Sequence, residues 1–144
     1  MMLMDLLKQV AEEQKSFGEE PEAPATKAEI LELKENIDNK KYGEFWFSDY
    51  VAFLKIRNGL DYDGLVIYNA NINDENNGFI AANEIWNENE WEDNYVFFGD
   101  SNISWYCFSK TKNTFMELDK PSGDMICEYT TLNELLEAAI KNIL

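Results

Sequence analysis

The sequence predicts an α+β fold: a single antiparallel β-sheet flanked by N-terminal helices and one C-terminal helix. Three observations carry this. Apolar residues recur every three or four positions near both ends of the chain, but every second position in the middle. The strand-like runs are joined by short turn-forming connections, and strands so joined must be antiparallel, because parallel neighbours need long crossovers. Helices come first, then strands, then a last helix, and that segregated order is the α+β pattern rather than the alternating one.

Residues 2–16 put Leu3, Leu6, Leu7 and Val10 on one helical face. FGEEPEAPAT, residues 17–26, holds two prolines and three glutamates and reads as a linker or a loop hugging the domain. The expected division is therefore 1–26, an N-terminal helix and acidic linker, and 27–144, the α+β domain. Thr26 and Glu29 make a capping box that opens a helix through about Ile37. Ser48 offers an N-cap for the next helix, which carries Tyr50, Phe53 and Leu54 and stops at Asn58-Gly59.

The period then changes. GLVIY, residues 64–68, reads as a buried strand, NANINDENNG as a polar loop, and residues 81–89 as a short helix with Ile85 facing in. YVFFGDSNISWYCFS gives strand, turn, strand, with the turn at Gly99-Asp100-Ser101-Asn102. Lys112-Asn113 and Lys120-Pro121-Ser122-Gly123 mark two further turns around TFMEL, and MICEY is the last strand. Thr131 and Glu134 repeat the capping-box signal before LNELLEAAIKNIL, an amphipathic helix.

Length and charge bound the function. The 144 residues suit one domain. The formal charge of −16, from 28 acidic and 12 basic residues, would repel nucleic acid and anionic membrane and draw in a basic partner. The first residues lack the features of a secretory leader, and no apolar stretch is long enough for a membrane span, so a cytoplasmic protein is expected. Cys107 and Cys127 lie in strand-like runs and read as small buried hydrophobes, too few for a disulfide framework or a zinc site.

The chain has no histidine, which removes the commonest general base and the commonest transition-metal ligand. That decides how Gly99-Asp100-Ser101 is read. The triplet carries the nucleophile in one group of esterases, but a serine hydroxyl needs a base beside it. Residues 73–84, NDENNGFIAANE, overlay a calcium-loop template, with Asn73 in place of its first carboxylate, Glu75 at the third position, Gly78 as the turn glycine and Glu84 as the twelfth ligand. A strand-like run stands where the template requires a helix, so a polar connection is the plainer account and no cofactor or metal is expected. The run EIWNENEWEDNYVFF is better suited to binding: Glu84, Glu88, Glu90, Glu92 and Asp93 interleave with Trp86 and Trp91, an acidic rim around residue types that anchor interfaces. With Asp100 of the turn, these are the candidate partner-binding residues. No catalytic residue is expected.

DYVAFLKIRNGLDYDGLVIY resembles the opening motif of the SUKH superfamily (Smi/Knr-like domains): an apolar-aromatic helix, Asn-Gly, then the first strand. YVFFGDSNISWYCFS and FMELDKPSGDMICEYTTLNELLEAAI resemble its central hairpin and its closing strand pair with last helix, most of all in the YrhA-like branch. The resemblance spans about residues 27–144, with Asn58, Gly59, Gly99 and Asp119 as fixed points; Phe47-Ser48 stands where the family commonly has Leu-Pro. It implies one antiparallel sheet packed by helices, and a role like that of the bacterial members that look like immunity proteins, which neutralise the toxin of a polymorphic toxin system. No catalytic residues are known for the family. The alternative expectation is a regulatory or scaffold module that self-associates, with the stripe of residues 2–16 as the seam of a homodimer.

Overall fold

The two capping boxes form, one completely and one by half. Thr26 N–H donates to Glu29 Oε1 (2.8 Å) and Glu29 N–H to Thr26 Oγ1 (3.1 Å), so two otherwise unpaired donors are satisfied reciprocally. At the second box Glu134 N–H donates to Thr131 Oγ1 (3.1 Å), but the Glu134 carboxylate turns to the Thr130 hydroxyl (2.9 Å). The structure, a computed structural model, describes residues 2–40, 47–87 and 95–144, and their side chains except at 38–40, 47, 86 and 87.

Among the described residues, helices α1 (Met2–Ser16), α2 (Lys27–Lys40) and α3 (Phe47–Ile56) precede the hairpin β1 (Leu60–Tyr62) and β2 (Leu65–Ile67). Helix α4 (Phe79–Asn87) follows, then β3 (Tyr95–Asp100), β4 (Ser104–Ser109), β5 (Thr114–Asp119), β6 (Met125–Tyr129) and α5 (Leu132–Lys141). The six strands form one sheet in the order β1-β2-β3-β4-β5-β6, antiparallel at every step. The expected α+β architecture is the observed one.

The N-terminal stripe Leu3, Leu6, Leu7 and Val10 is buried and joins the core shared by α5 and the sheet. The seam expected for a homodimer is thus covered within the chain, by the same loss of apolar surface from water that a dimer would have achieved. Deeper in, Tyr50, Phe79 and Phe98 form a ring cluster with centroids 5.2–5.6 Å apart, spacing that suits aromatic packing. The Tyr50 hydroxyl donates to the Tyr68 carbonyl oxygen (2.6 Å), which satisfies a polar group in a fully apolar setting.

Several local expectations shift. Helix α2 runs to Lys40, past Ile37, and α3 already includes Phe47, so Ser48 lies inside the first turn instead of capping it. Helix α4 begins at Phe79, and Phe79 and Ile80 fix its buried face with Ala82 and Asn83, which leaves Ile85 55% exposed, not buried. Cys107 is buried as expected, but Cys127 is only half-buried because β6 is an outer strand. Strand β1 was not anticipated; Asp63 (φ 51°) and Gly64 (φ 85°) close its two-residue turn to β2.

The four fixed points of the sequence comparison each hold a junction. Gly59 (φ 87°) ends α3, and Asn58 Oδ1 accepts from Ala70 N–H (2.8 Å) while Asn58 N–H donates to the Ala23 carbonyl oxygen (2.7 Å). Asp119 Oδ2 accepts from the Ser122 N–H (3.1 Å) and hydroxyl (2.8 Å) and so shapes the β5–β6 turn. Gly99 is the point where the sheet is tightest, as described next.

Candidate partner-binding surface

The stretch FFGDSNIS is built differently from the hairpin turn expected of it. Gly99 and Asp100 belong to β3, and the turn lies one step later, at 101–103. Ser101 Oγ accepts from Ile103 N–H (3.4 Å) and Ser104 N–H (3.1 Å), so the serine organises the turn. Gly99 does not supply a left-handed backbone. Its place opposite Ile67, beside a register shift at Phe97/Gly99, brings β2 so close that a Cβ would run into the Val66 carbonyl oxygen and lie 3.2 Å from Ile67 Cα.

Asp100, expected as a free contact residue at the turn, is engaged. Its Oδ2 accepts from the Tyr68 hydroxyl (2.8 Å) and its Oδ1 is paired with Lys120 Nζ (2.9 Å). The same ammonium sits 4.5 Å from the centre of the Trp105 ring, a cation–π contact. Burial first, and then the Asp100 charge, hold the Tyr68 pKa well above that of an ordinary tyrosine, so the hydroxyl stays a donor.

Of the other candidate residues, Glu84 is exposed on the outer side of α4 beside Ile85. Trp86 lies within α4, its side chain outside the described residues; Glu88, Glu90, Trp91, Glu92 and Asp93 also lie outside them. In the stretch compared with a calcium loop, Asp74 is the organiser. Its carboxylate accepts from Asn69 Nδ2 (2.9 Å) and from the N–H groups of Asn76 and Asn77 (both 3.0 Å), and those donors hold its pKa below the usual carboxylate range.

The sheet has two edges, and side chains finish one of them. At β1, Asp61 N–H donates to Glu22 Oε2 (3.0 Å). The other Glu22 oxygen pairs with Arg57, which is 3% exposed and also donates to Gln14 Oε1 (2.6 Å). One glutamate of the acidic linker thereby caps an edge strand and neutralises a buried cation. Where β2 leaves β3, the fully buried Asn83 takes its place: Phe97 N–H donates to Asn83 Oδ1 (2.7 Å), and Asn83 Nδ2 donates to the carbonyl oxygens of Phe97 (2.9 Å) and Phe79 (2.9 Å). The sequence carried a signal for β1 in Asp63-Gly64 between alternating apolar residues. It carried none for Asn83 as a substitute for a strand.

The far edge, β6, bears Met125 (44% exposed) and Ile126 (52% exposed) between the exposed Asp124 and Glu128. Among the described residues, clefts lie beside α1 and at the turn end of the sheet. A groove of about 410 Å³ runs beside α1, with Met4, Leu7 and Ile56 on its walls and Lys8 and Lys15 at its rim. A cleft of about 470 Å³ at the turn end is lined by Asp63, Asn102, Ile103, Tyr106 and Asn142. Burial raises the Tyr106 pKa, opposed by the neighbouring polar side chains of Ser101, Asn142 and Ser104.

The electrostatics follow from how few cations the fold has. Among the described residues, Arg57 and Lys120 are drawn into ion pairs at Glu22 and Asp100. Exposed carboxylates lie on all sides, including Glu12 on α1, Glu20 in the linker, Glu32 on α2, Glu75 in the loop and Glu128 on β6. No helix among the described residues is long and apolar enough to cross a membrane. No protein-family model matches the chain, and no curated protein sequence matches it.

Proposed function

We propose that the chain is a non-catalytic protein-binding domain of the SUKH kind, acting in the cytoplasm as an immunity protein that caps a basic toxin domain of a polymorphic toxin system. The observation that carries this is the charge of −16 spread over a rigid α+β domain whose few cations are partly consumed internally. A nuclease toxin must be basic to hold phosphate, and an acidic domain presents the same sign of charge to it. Such complementarity raises the encounter rate and selects the partner more than it sets affinity. The SUKH resemblance over residues 27–144 points the same way.

Self-association is the weaker alternative, because the apolar stripe of α1 is already buried against the domain. Co-expression with the toxin domain encoded beside the gene tests the proposal. Growth should be restored, and the two chains should elute together at low salt and separate more readily at high salt. Growth arrest that is unaffected by the protein, or a gene without a toxin neighbour, would end the proposal.

A further inference from the structure

The outer side of β6 is the one long strand edge that no other described residue pairs with; its neighbour in the sheet is β5 alone. The register shifts between Glu117 and Leu118, which leaves Ile126 as an extra residue and sets two apolar side chains, Met125 and Ile126, outward in a row. Asp124 and Glu128, both exposed, stand on either side of that pair. An uncovered edge offers unpaired N–H and C=O groups as a template for another chain. Resting on the proposal that the partner is basic, we infer that the outer edge of β6 takes up an extended segment of a basic polypeptide as a seventh strand of the six-stranded sheet. Lysine or arginine of that segment lies against Asp124 and Glu128, and its apolar residues cover Met125 and Ile126. A second copy of this chain fits the edge worse. It would bring a further −16 against the same carboxylates, and the extra residue spoils the flat register that two identical edges require.

The test uses the full chain and two probes: a short synthetic peptide of alternating lysine and valine, and the same peptide N-methylated at every residue. Methylation keeps the charge and removes the backbone donors. The unmodified peptide should protect the amides of Ile126–Glu128 from hydrogen exchange, and the methylated one should not. Glu128→Lys, and Met125→Lys as a second variant on an exposed side chain, should each weaken the peptide about tenfold. Three results would overturn the inference: equal protection by both peptides, protection confined to other elements, or β6 amides protected before any peptide is added in a particle of twice the mass. The edge and the toxin assignment fail separately. If the wild-type chain gives no growth protection, the toxin assignment is lost whatever the peptides do. If Met125→Lys/Ile126→Lys protects growth as fully as wild type, only the edge is lost.

Discussion

The two sides of the sheet solve the same problem in opposite ways. On the β1 side, backbone groups that lack a strand partner are met by side chains from outside the sheet: Glu22 for Asp61, Asn83 for Phe97. On the β6 side none of the described residues is brought in, although that strand is longer, with five residues against three, and carries two exposed apolar side chains. Among the described residues, one edge is covered by a single glutamate and the other is open. Guarding an edge is the ordinary protection against unwanted pairing, and on the inference above β6 is the side where contact is admitted.

That contrast can be broken at its tightest point. Gly99→Val places a side chain where the Val66 carbonyl oxygen already sits, so the β1–β2 hairpin should detach and β3 become a second open edge. The expected loss is at least about 3 kcal/mol in urea unfolding, with faster amide exchange in β3. Asn83→Leu fills the space but removes the hydrogen bonds that the Asn83 amide makes with the Phe97 N–H and carbonyl oxygen in the interior, for about 3 kcal/mol. Glu22→Ala strands the buried Arg57 and exposes the Asp61 N–H. Because Glu22 itself is partly exposed, the cost should be nearer about 2 kcal/mol, and Arg57→Met in the same chain should recover most of it. The smallest effect sharpens the comparison: Met125→Thr and Ile126→Thr should each change stability by less than about 0.5 kcal/mol, because these side chains support no core. A large loss from either would mean that β6 is part of what holds the fold together and not a surface held in readiness.

Much of this architecture is legible in the sequence, and the failures share a cause. Helices α1, α2 and α5 announce themselves through caps and a 3.6-residue period, and the β3–β6 hairpins through turn residues between apolar runs. Local patterns do not reveal what a residue meets from elsewhere in the chain. Gly99 looked like a turn glycine because its real constraint, the Val66 carbonyl oxygen, belongs to a strand 33 positions earlier. Ile85 reads as inward when the helix is taken to span 81–89, because that span omits Phe79 and Ile80, two residues that set the buried face. The partners of Asp100 are hidden from local sequence because neither Tyr68 nor Lys120 is near it in the chain. The surface candidates suffered most. Charge density is visible in a sequence, but whether a carboxylate caps a strand or faces a partner depends on tertiary neighbours.

The packing of α1 on α5 has a consequence for how the chain is made. Every strand in the sheet pairs with the strand next to it in sequence, so β3 to β6 can close hairpin by hairpin with short loops, while β2 reaches β3 across residues 68–94, which carry α4. The core does not close with it. Leu3, Leu6, Leu7 and Val10 leave the ribosome before any strand of the sheet, and the face of α5 that covers them, Leu132 to Ile140, leaves after the last strand. During synthesis the apolar stripe of α1 therefore waits for its cover until β6 has emerged. The exclusion of water from that stripe is the event that turns an assembled sheet into a closed core.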